Sequence, residues 1–344
     1  MGDAATVEGL DLGAVGRFLA EAMPGFGAPT GARKFEGGQS NPTYRLTGPT
    51  GSVVLRRKPY GPLLKSAHAV DREYRVQAAL AGTDVPVPGM LAYCDDPDVI
   101  GAPFYVMEDM RGRTFEDPRL PHLTVEERGS VADELCRVLA AIHSVDLRAT
   151  GLSDYGRAGN YYARQVDRWT RQYRASETGT VTDMDALIGW LAANLPEDDT
   201  APALVHGDPR LDNLIFAADA PRCVAVIDWE LSTLGHPVAD LAHVVMQWRR
   251  PAGADRGLAG VDRRALGLPE DAAFVDAYCA RRGLAEVPDL GFGIAFAFFR
   301  LAAILQGVKR RALDGNASNP DRARRAATAI PGLAASGLAA ARDA

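Results

Sequence analysis

Apolar and polar positions along this chain follow two rhythms, and the change between them falls just after residue 110. Val15, Phe18, Leu19 and Met23 recur at helical spacing behind Asp11, a residue able to cap a helix, and Pro24-Gly25 ends the run. Three short β-prone runs follow, Arg33 to Glu36, Thr43 to Leu46 and Ser52 to Arg57. They are separated by Gly37-Gly38 and by Gly48-Pro49-Thr50-Gly51, a pattern that predicts antiparallel strands. A helix is expected over about Ala69 to Ala81. Beyond the break at Pro86 and Pro88, two further strands are expected at Met90 to Cys94 and Phe104 to Met107. Together these elements predict a β-rich first lobe over residues 1–110.

From residue 111 to 344 the pattern becomes mainly helical. Thr124-Val125-Glu126-Glu127 reads as a capping box opening a helix to about His143. Further helices are expected over Tyr161 to Arg174, Asp183 to Asn194, Pro237 to Trp248, Ala272 to Arg282, Gly293 to Leu313 and Pro320 to Thr328. A small β element is expected among them from Ala203 to Val205, Leu214 to Phe216 and Cys223 to Ile227. The alanine-rich stretch from Ala329 to Ala344 reads either as a last helix or as a frayed tail. The fold class that emerges is α+β and bilobal, a small antiparallel sheet followed by a larger helical part.

Composition narrows the picture. The 344 residues are 47% hydrophobic and 24% charged, the make-up of an ordinary globular enzyme. A formal net charge of −6 gives no electrostatic reason to expect nucleic acid or an anionic membrane as partner. Basic pairs such as Arg249-Arg250, Arg263-Arg264 and Arg281-Arg282 crowd the last third; most read as solvated helix faces, with a minority available to an anionic substrate. Cys94, Cys136, Cys223 and Cys279 lie far apart without metal-ligand spacing, which argues against zinc or disulfides and favours a reducing cytoplasm. Neither an export signal nor a membrane span is expected, since the most apolar stretch, Phe292 to Val308, is interrupted by Arg300 and Gln306.

The most informative segment is Leu204-Val205-His206-Gly207-Asp208-Pro209-Arg210-Leu211-Asp212-Asn213-Leu214-Ile215-Phe216, followed by Val224-Ala225-Val226-Ile227-Asp228-Trp229-Glu230. Phosphoryl transfer needs a carboxylate to orient and deprotonate the attacking hydroxyl, and oxygen ligands for Mg²⁺ on the phosphates. Asp208 suits the first role. Asn213, five residues on, and Asp228, at the end of the next strand, suit the second.

These motifs resemble the aminoglycoside phosphotransferase and choline kinase superfamily, relatives of protein kinases with the pattern His-Gly-Asp-x4-Asn and a later Ile-Asp-Trp. The resemblance is strongest to the phosphotransferase domain fused to acyl-CoA dehydrogenases in some eukaryotes and to its free-standing bacterial relatives. It runs through Gly37-Gly38-Gln39-Ser40-Asn41-Pro42-Thr43-Tyr44, Val54-Leu55-Arg56-Arg57-Lys58-Pro59, Asp71-Arg72-Glu73-Tyr74, Phe104 to Glu108, and Trp229 to Pro237. It implies a protein-kinase-like fold, ATP and Mg²⁺ as cofactors, and a small-molecule hydroxyl substrate. Asp208 would be the catalytic base, Asn213 and Asp228 the metal ligands.

Other parts carry over one at a time. Gly38, Ser40 and Asn41 would cover the ATP phosphates, and the backbone of Glu108 and Met110 would meet adenine. Kinases place a Lys on the third strand opposite a helix Glu. Here Glu73 matches but the strand position reads Arg56, with Arg57 and Lys58 as neighbouring alternatives for the phosphate-binding cation. His206 and Asp240 are expected to brace the catalytic loop, and His143 and His243 to be packing or surface residues. The segment from Asp228 to Asp240 is too short for a protein-kinase activation segment. The fused relatives imply a hydroxyacyl-CoA or hydroxy acid as acceptor. An aminoglycoside acceptor and a nucleotide-binding module without turnover are the competing readings, and the sequence leaves the oligomeric state open.

Overall fold

The computed structural model describes residues 6–7, 9–35, 41–61, 68–157, 159–197, 201–251, 257–315 and 320–343. The chain opens with a two-residue pairing of β1 (Thr6–Val7) and β2 (Leu10–Asp11). It continues through α1 (Leu12–Ala22), β3 (Gly31–Lys34), β4 (Thr43–Gly48), β5 (Gly51–Arg57), α2 (Val70–Leu80), β6 (Met90–Cys94), the short α3 (Pro97–Ile100) and β7 (Phe104–Glu108). Next come α4 (Val125–His143), α5 (Tyr161–Ser176), α6 (Thr182–Ala193), β8 (Ala203–Val205), β9 (Leu214–Phe216), β10 (Cys223–Val226) and β11 (Thr233–Gly235). The last elements are α7 (Val238–Arg249), α8 (Arg263–Leu266), α9 (Asp271–Arg282), α10 (Leu290–Leu313), α11 (Pro320–Ala327) and α12 (Ile330–Arg342). Packing divides the chain into unit 1, Met1–Arg113 with Thr150–Leu152 and Ile215–Leu231, and unit 2, which holds the remainder.

Unit 1 is built on a five-stranded antiparallel sheet in the order β3-β4-β5-β7-β6. Asp11 caps α1 by accepting from the Ala14 amide at 2.9 Å, and the buried side chains of that helix, among them Val15 and Leu19, join Tyr44, Leu46, Val53, Leu55, Phe104 and Val106 in one core. The two-residue period of a strand decides what β5 presents. Val53 and Leu55 belong to the core under α1, and Arg57 shares their face, whereas Arg56 points the other way, toward α2. α2 buries Val70, Val76 and Leu80 together with the polar Glu73 and Gln77.

Unit 2 is mainly helical. The capping box at Thr124 is formed in both directions, with the Glu127 carboxylate on the Thr124 amide at 2.8 Å and the Thr124 hydroxyl on the Glu127 amide at 3.2 Å. α10 is long and apolar enough by composition to cross a bilayer, yet it lies in the core with Phe292, Ile294, Phe296, Phe298 and Phe299 buried against α5, α6, α7 and α12. Its two polar interruptions are buried as well: Arg300 bonds the Gly207 carbonyl at 2.7 Å and Gln306 the Ser176 carbonyl at 2.6 Å. Each of these side chains thereby has a carbonyl acceptor in the interior.

One expectation is corrected, and one left with two readings is decided. The small β element is not one sheet: β8 pairs with β11, a strand the sequence pattern did not reveal, and β9 pairs with β10 separately. Strands of three or four residues are too short to carry a readable alternation. The alanine-rich end is a helix, α12, with Ile330, Leu333, Ala334 and Gly337 buried. An added Cβ at Gly337 would come within 2.6 Å of Leu187 and 3.2 Å of Phe298, so glycine is what lets α12 seat closely.

Candidate functional site

Within unit 1 the conspicuous feature is one guanidinium among three carboxylates. Arg56 Nε lies 2.9 Å from Glu73 Oε2, and its terminal nitrogen lies 2.7 Å from Asp228 Oδ1 and 3.7 Å from Glu230 Oε2. Glu73, with no exposed surface, also accepts from Asn41 Nδ2 at 2.7 Å and from the Tyr105 hydroxyl at 3.1 Å. Burial pushes the Glu73 carboxyl up, to about 7, with Arg56 pulling it down and Asp228 and Glu230 adding to the rise. Arg57 is turned to the opposite face. It stacks 3.7 Å from the Tyr60 ring centroid and donates to the Lys58 carbonyl at 2.8 Å. Lys58 sits 3.8 Å from Asp71. Of the three basic neighbours, Arg56 is therefore the one that meets the helix glutamate.

Asp228 follows β10 in the left-handed region, with φ 67°, an arrangement unusual for a residue with a side chain. A non-glycine residue held there is strained by about 1–3 kcal/mol, and such strain clusters where a side chain must be aimed. Its carboxylate is 33% exposed, open enough to take a ligand. Asn41 is buried, its Oδ1 3.0 Å from His68 Nδ1, so it supports Glu73. Gly38 and Ser40 lie outside the described residues. Glu108 ends β7 with its amide on the Gly89 carbonyl at 2.9 Å, and Met110 follows in a stretch without regular secondary structure.

Within unit 2, β8 delivers the chain into the loop from His206 to Asn213. Gly207 has φ 86°, which glycine accepts without steric penalty and which turns the chain sharply before Asp208. Asp240, buried on the first turn of α7, accepts from the His206 amide at 2.6 Å and the Gly207 amide at 2.9 Å. Burial alone would raise the Asp240 carboxyl, but His143 first, and then His206 with its backbone amide, hold it below the ordinary range. His206 is fully buried, with Nδ1 3.3 Å from the Asp208 amide.

Asp208 is half-buried. Its Oδ1 lies 3.1 Å from His243 Nε2 and 2.9 Å from Arg210 Nε. Burial opposes its ionisation, yet the His243 bond and the charges of Arg210 and His206 outweigh it and hold the carboxyl well below its usual value. Asn213 is buried and donates Nδ2 to the Asp208 carbonyl at 2.9 Å and to Asp208 Oδ2 at 3.3 Å. That network assigns the amide orientation and leaves Oδ1 as an acceptor.

Two contacts escaped sequence reasoning. Arg210 stands two residues after Asp208, a spacing that could have flagged it. His243 offered no such signal, because only the packing of α7 brings it to Asp208. His143 is likewise buried, bonded to the Tyr278 hydroxyl at 2.7 Å.

Each unit, taken by itself, carries oxygen groups of the kind a hard divalent cation takes. Mg²⁺ takes oxygen ligands and commonly uses one or two protein groups plus phosphate. Asp228 belongs to a cluster in which three carboxylates face one guanidinium, and Asn213 keeps a carbonyl oxygen.

A five-stranded antiparallel sheet with a buried cation–glutamate pair, joined to a helical unit bearing an Asp-x4-Asn loop, defines a protein-kinase-like phosphotransferase. The chain belongs to the Phosphotransferase enzyme family, whose profile matches residues 31–290. A crystal structure of a candidate aminoglycoside phosphotransferase from Ralstonia eutropha superposes with TM-score 0.88 at 44% identity, covering 97% of this chain and 99% of that one. An aminoglycoside phosphotransferase solved with ADP and hygromycin B shares the fold, with TM-score 0.61 at 18% identity over 95% of this chain and 98% of that one. Among curated proteins, mouse acyl-CoA dehydrogenase family member 10 is 46% identical over 288 residues, and chicken acyl-CoA dehydrogenase family member 11 is 45% identical over 316. Those matches cover 83% and 90% of this chain but only 27% and 40% of the relatives.

Proposed function

We propose that this phosphotransferase moves the γ-phosphoryl group of ATP to a hydroxyl of a small molecule, a hydroxyacyl-CoA or hydroxy acid. The observation that carries the reading is Asp208: a carboxylate kept ionised by His243 and Arg210, on a loop whose backbone is pinned by Asp240. An ionised, oriented carboxylate can accept the hydroxyl proton as the oxygen attacks phosphorus. Mg²⁺, with Asn213 and Asp228 as ligands, would neutralise phosphate charge. Arg56, steadied by Glu73, engages phosphate oxygens, with its forked guanidinium in place of an ammonium. Gly38, Ser40 and Asn41 are assigned to the nucleotide side, as are the backbone groups of Glu108 and Met110. His206 and Asp240 brace the loop without touching substrate.

The curated relatives point to acyl-CoA chemistry, and the basic pairs of the last third suit an anionic acceptor better than a polycationic one. The reducing cytoplasm suits four cysteines that are buried and free.

ADP formation by the purified chain with Mg·ATP, measured across 3- and 4-hydroxyacyl-CoAs, free hydroxy acids, choline, homoserine and aminoglycosides, tests the proposal. Turnover should concentrate on the hydroxyacyl group and fall roughly 10²–10⁴-fold in Asp208→Ala while ATP affinity persists. Selective turnover of an aminoglycoside would replace the acceptor assignment. ATP binding with no Asp208-dependent ADP from any acceptor would point to a binding module.

A further inference from the structure

Arg168 on α5 and Arg300 on α10 converge on the indole of Trp169, their guanidinium carbons 5.5 Å and 5.7 Å from the ring centroid. Neither guanidinium forms an ion pair with a carboxylate among the described residues. The adjacent acid, Asp167, is committed to Arg171 at 2.7 Å. Arg300 is only 8% exposed, and its hydrogen bond goes to the carbonyl of Gly207, the residue before Asp208. Arg168 is exposed and Arg300 almost dry, so two like charges lie beside one indole, an unbalanced arrangement that an anion would relieve. Desolvation first and Arg300 second lower the Arg168 pKa, the signature of that imbalance. Tyr161 lies in the field of both arginines, and burial pushes its hydroxyl up to about 12, leaving a neutral phenol beside the cluster.

We propose that Arg168, Arg300 and Trp169 form an oxyanion subsite that holds the carboxylate or phosphate of the acceptor. The inference rests on the phosphotransferase reading, because its link to the chemistry is the bond from Arg300 to the loop that carries Asp208. The planar guanidinium fork matches a carboxylate or phosphate with two parallel hydrogen bonds, and the indole shields those bonds from water. A polycationic acceptor would be repelled at the same place.

The test is a fluorescence titration of the full chain, which has four tryptophans, with 4-hydroxypentanoate and with coenzyme A; Trp169→Phe identifies the responding ring. At least one anion should give a saturable change absent in Trp169→Phe, and Arg168→Gln should weaken its binding at least about tenfold, with partial recovery in Arg168→Lys. Response to 4-hydroxypentanoate names the carboxylate as the group bound; response to coenzyme A alone names its phosphates. The neutral 4-hydroxypentanamide should leave the signal unchanged. In turnover, Arg168→Gln should raise KM for the charged acceptor while kcat and KM for ATP hold. Binding of both anions by Arg168→Gln as tightly as by the parent, or by neither protein at all, overturns the subsite. Loss of Asp208-dependent ADP formation, read separately, would count against the catalytic reading and leave the binding result standing.

Discussion

Glu73 in unit 1 and Asp208 in unit 2 are both carboxylates withdrawn from water and set against a guanidinium, yet their proton affinities move in opposite directions. The difference lies in the company each keeps. Glu73 shares Arg56 with Asp228 and Glu230, so three acids compete for one cation. Asp208 has Arg210 and His243 beside it, with Asn213 as a further donor. A pairing distance says little by itself; the local balance of acceptors and donors decides which protonation state survives burial. On the proposed reading, the acid-rich cluster would receive cations with a nucleotide, and the donor-rich one would keep a base charged and aimed.

The sharpest way to break this contrast is to strip the donor-rich loop of its anchor. Asp240→Ala leaves the amides of His206 and Gly207 without their acceptor, at about 1–3 kcal/mol for each donor. Denaturant unfolding should therefore show a larger stability loss for it than for Glu73→Gln, Asp228→Asn or His243→Gln. The acid-rich cluster predicts a pH signature. Glu73 binds its proton more tightly when folded, so that contribution is fully present below its ordinary 4.5 and is lost as the pH rises through about 7. Unfolding measured from pH 4 to 8 should show this decline in the parent and lose it in Glu73→Gln; parallel curves would defeat the account.

Asp228→Asn sharpens the comparison further. Asparagine tolerates the left-handed backbone, so the fold should be kept while the negative charge of the proposed metal ligand is removed. Calorimetry should show Mg·ATP binding weakened by at least about tenfold with Tm held. The smallest effect is expected at His243→Gln. Removing that partner raises the Asp208 carboxyl toward its ordinary value, moving the acidic limb of kcat/KM to higher pH with little change on the neutral plateau. An unmoved limb would assign the low value of Asp208 to Arg210 and His206.

Much of the architecture was legible because it is written in local rules. Asp11 and Thr124 cap the helices they were expected to open, and the alternation through Ser52 to Arg57 marks β5 and separates Arg56 from Arg57 by face. Asp208 and Asn213 were readable as a pair because a five-residue spacing places them on one loop. What stayed hidden depends on contacts between segments distant in sequence. The partner of β8, the approach of His243 to Asp208, and the meeting of Arg168 with Arg300 over Trp169 leave no mark in local periodicity. Choosing among Arg56, Arg57 and Lys58 likewise required seeing which of them reaches Glu73.

The seating of α12 on α10 has a practical consequence for anyone who fuses, trims or transplants this chain. α10 is apolar over most of its length, and the buried side of α12, closed down by Gly337, is part of its cover. A junction placed ahead of Ile330 would leave an adhesive apolar stripe available to detergents, lipids or another chain in the same state. Splice points belong beyond Arg342, after the last turn of α12.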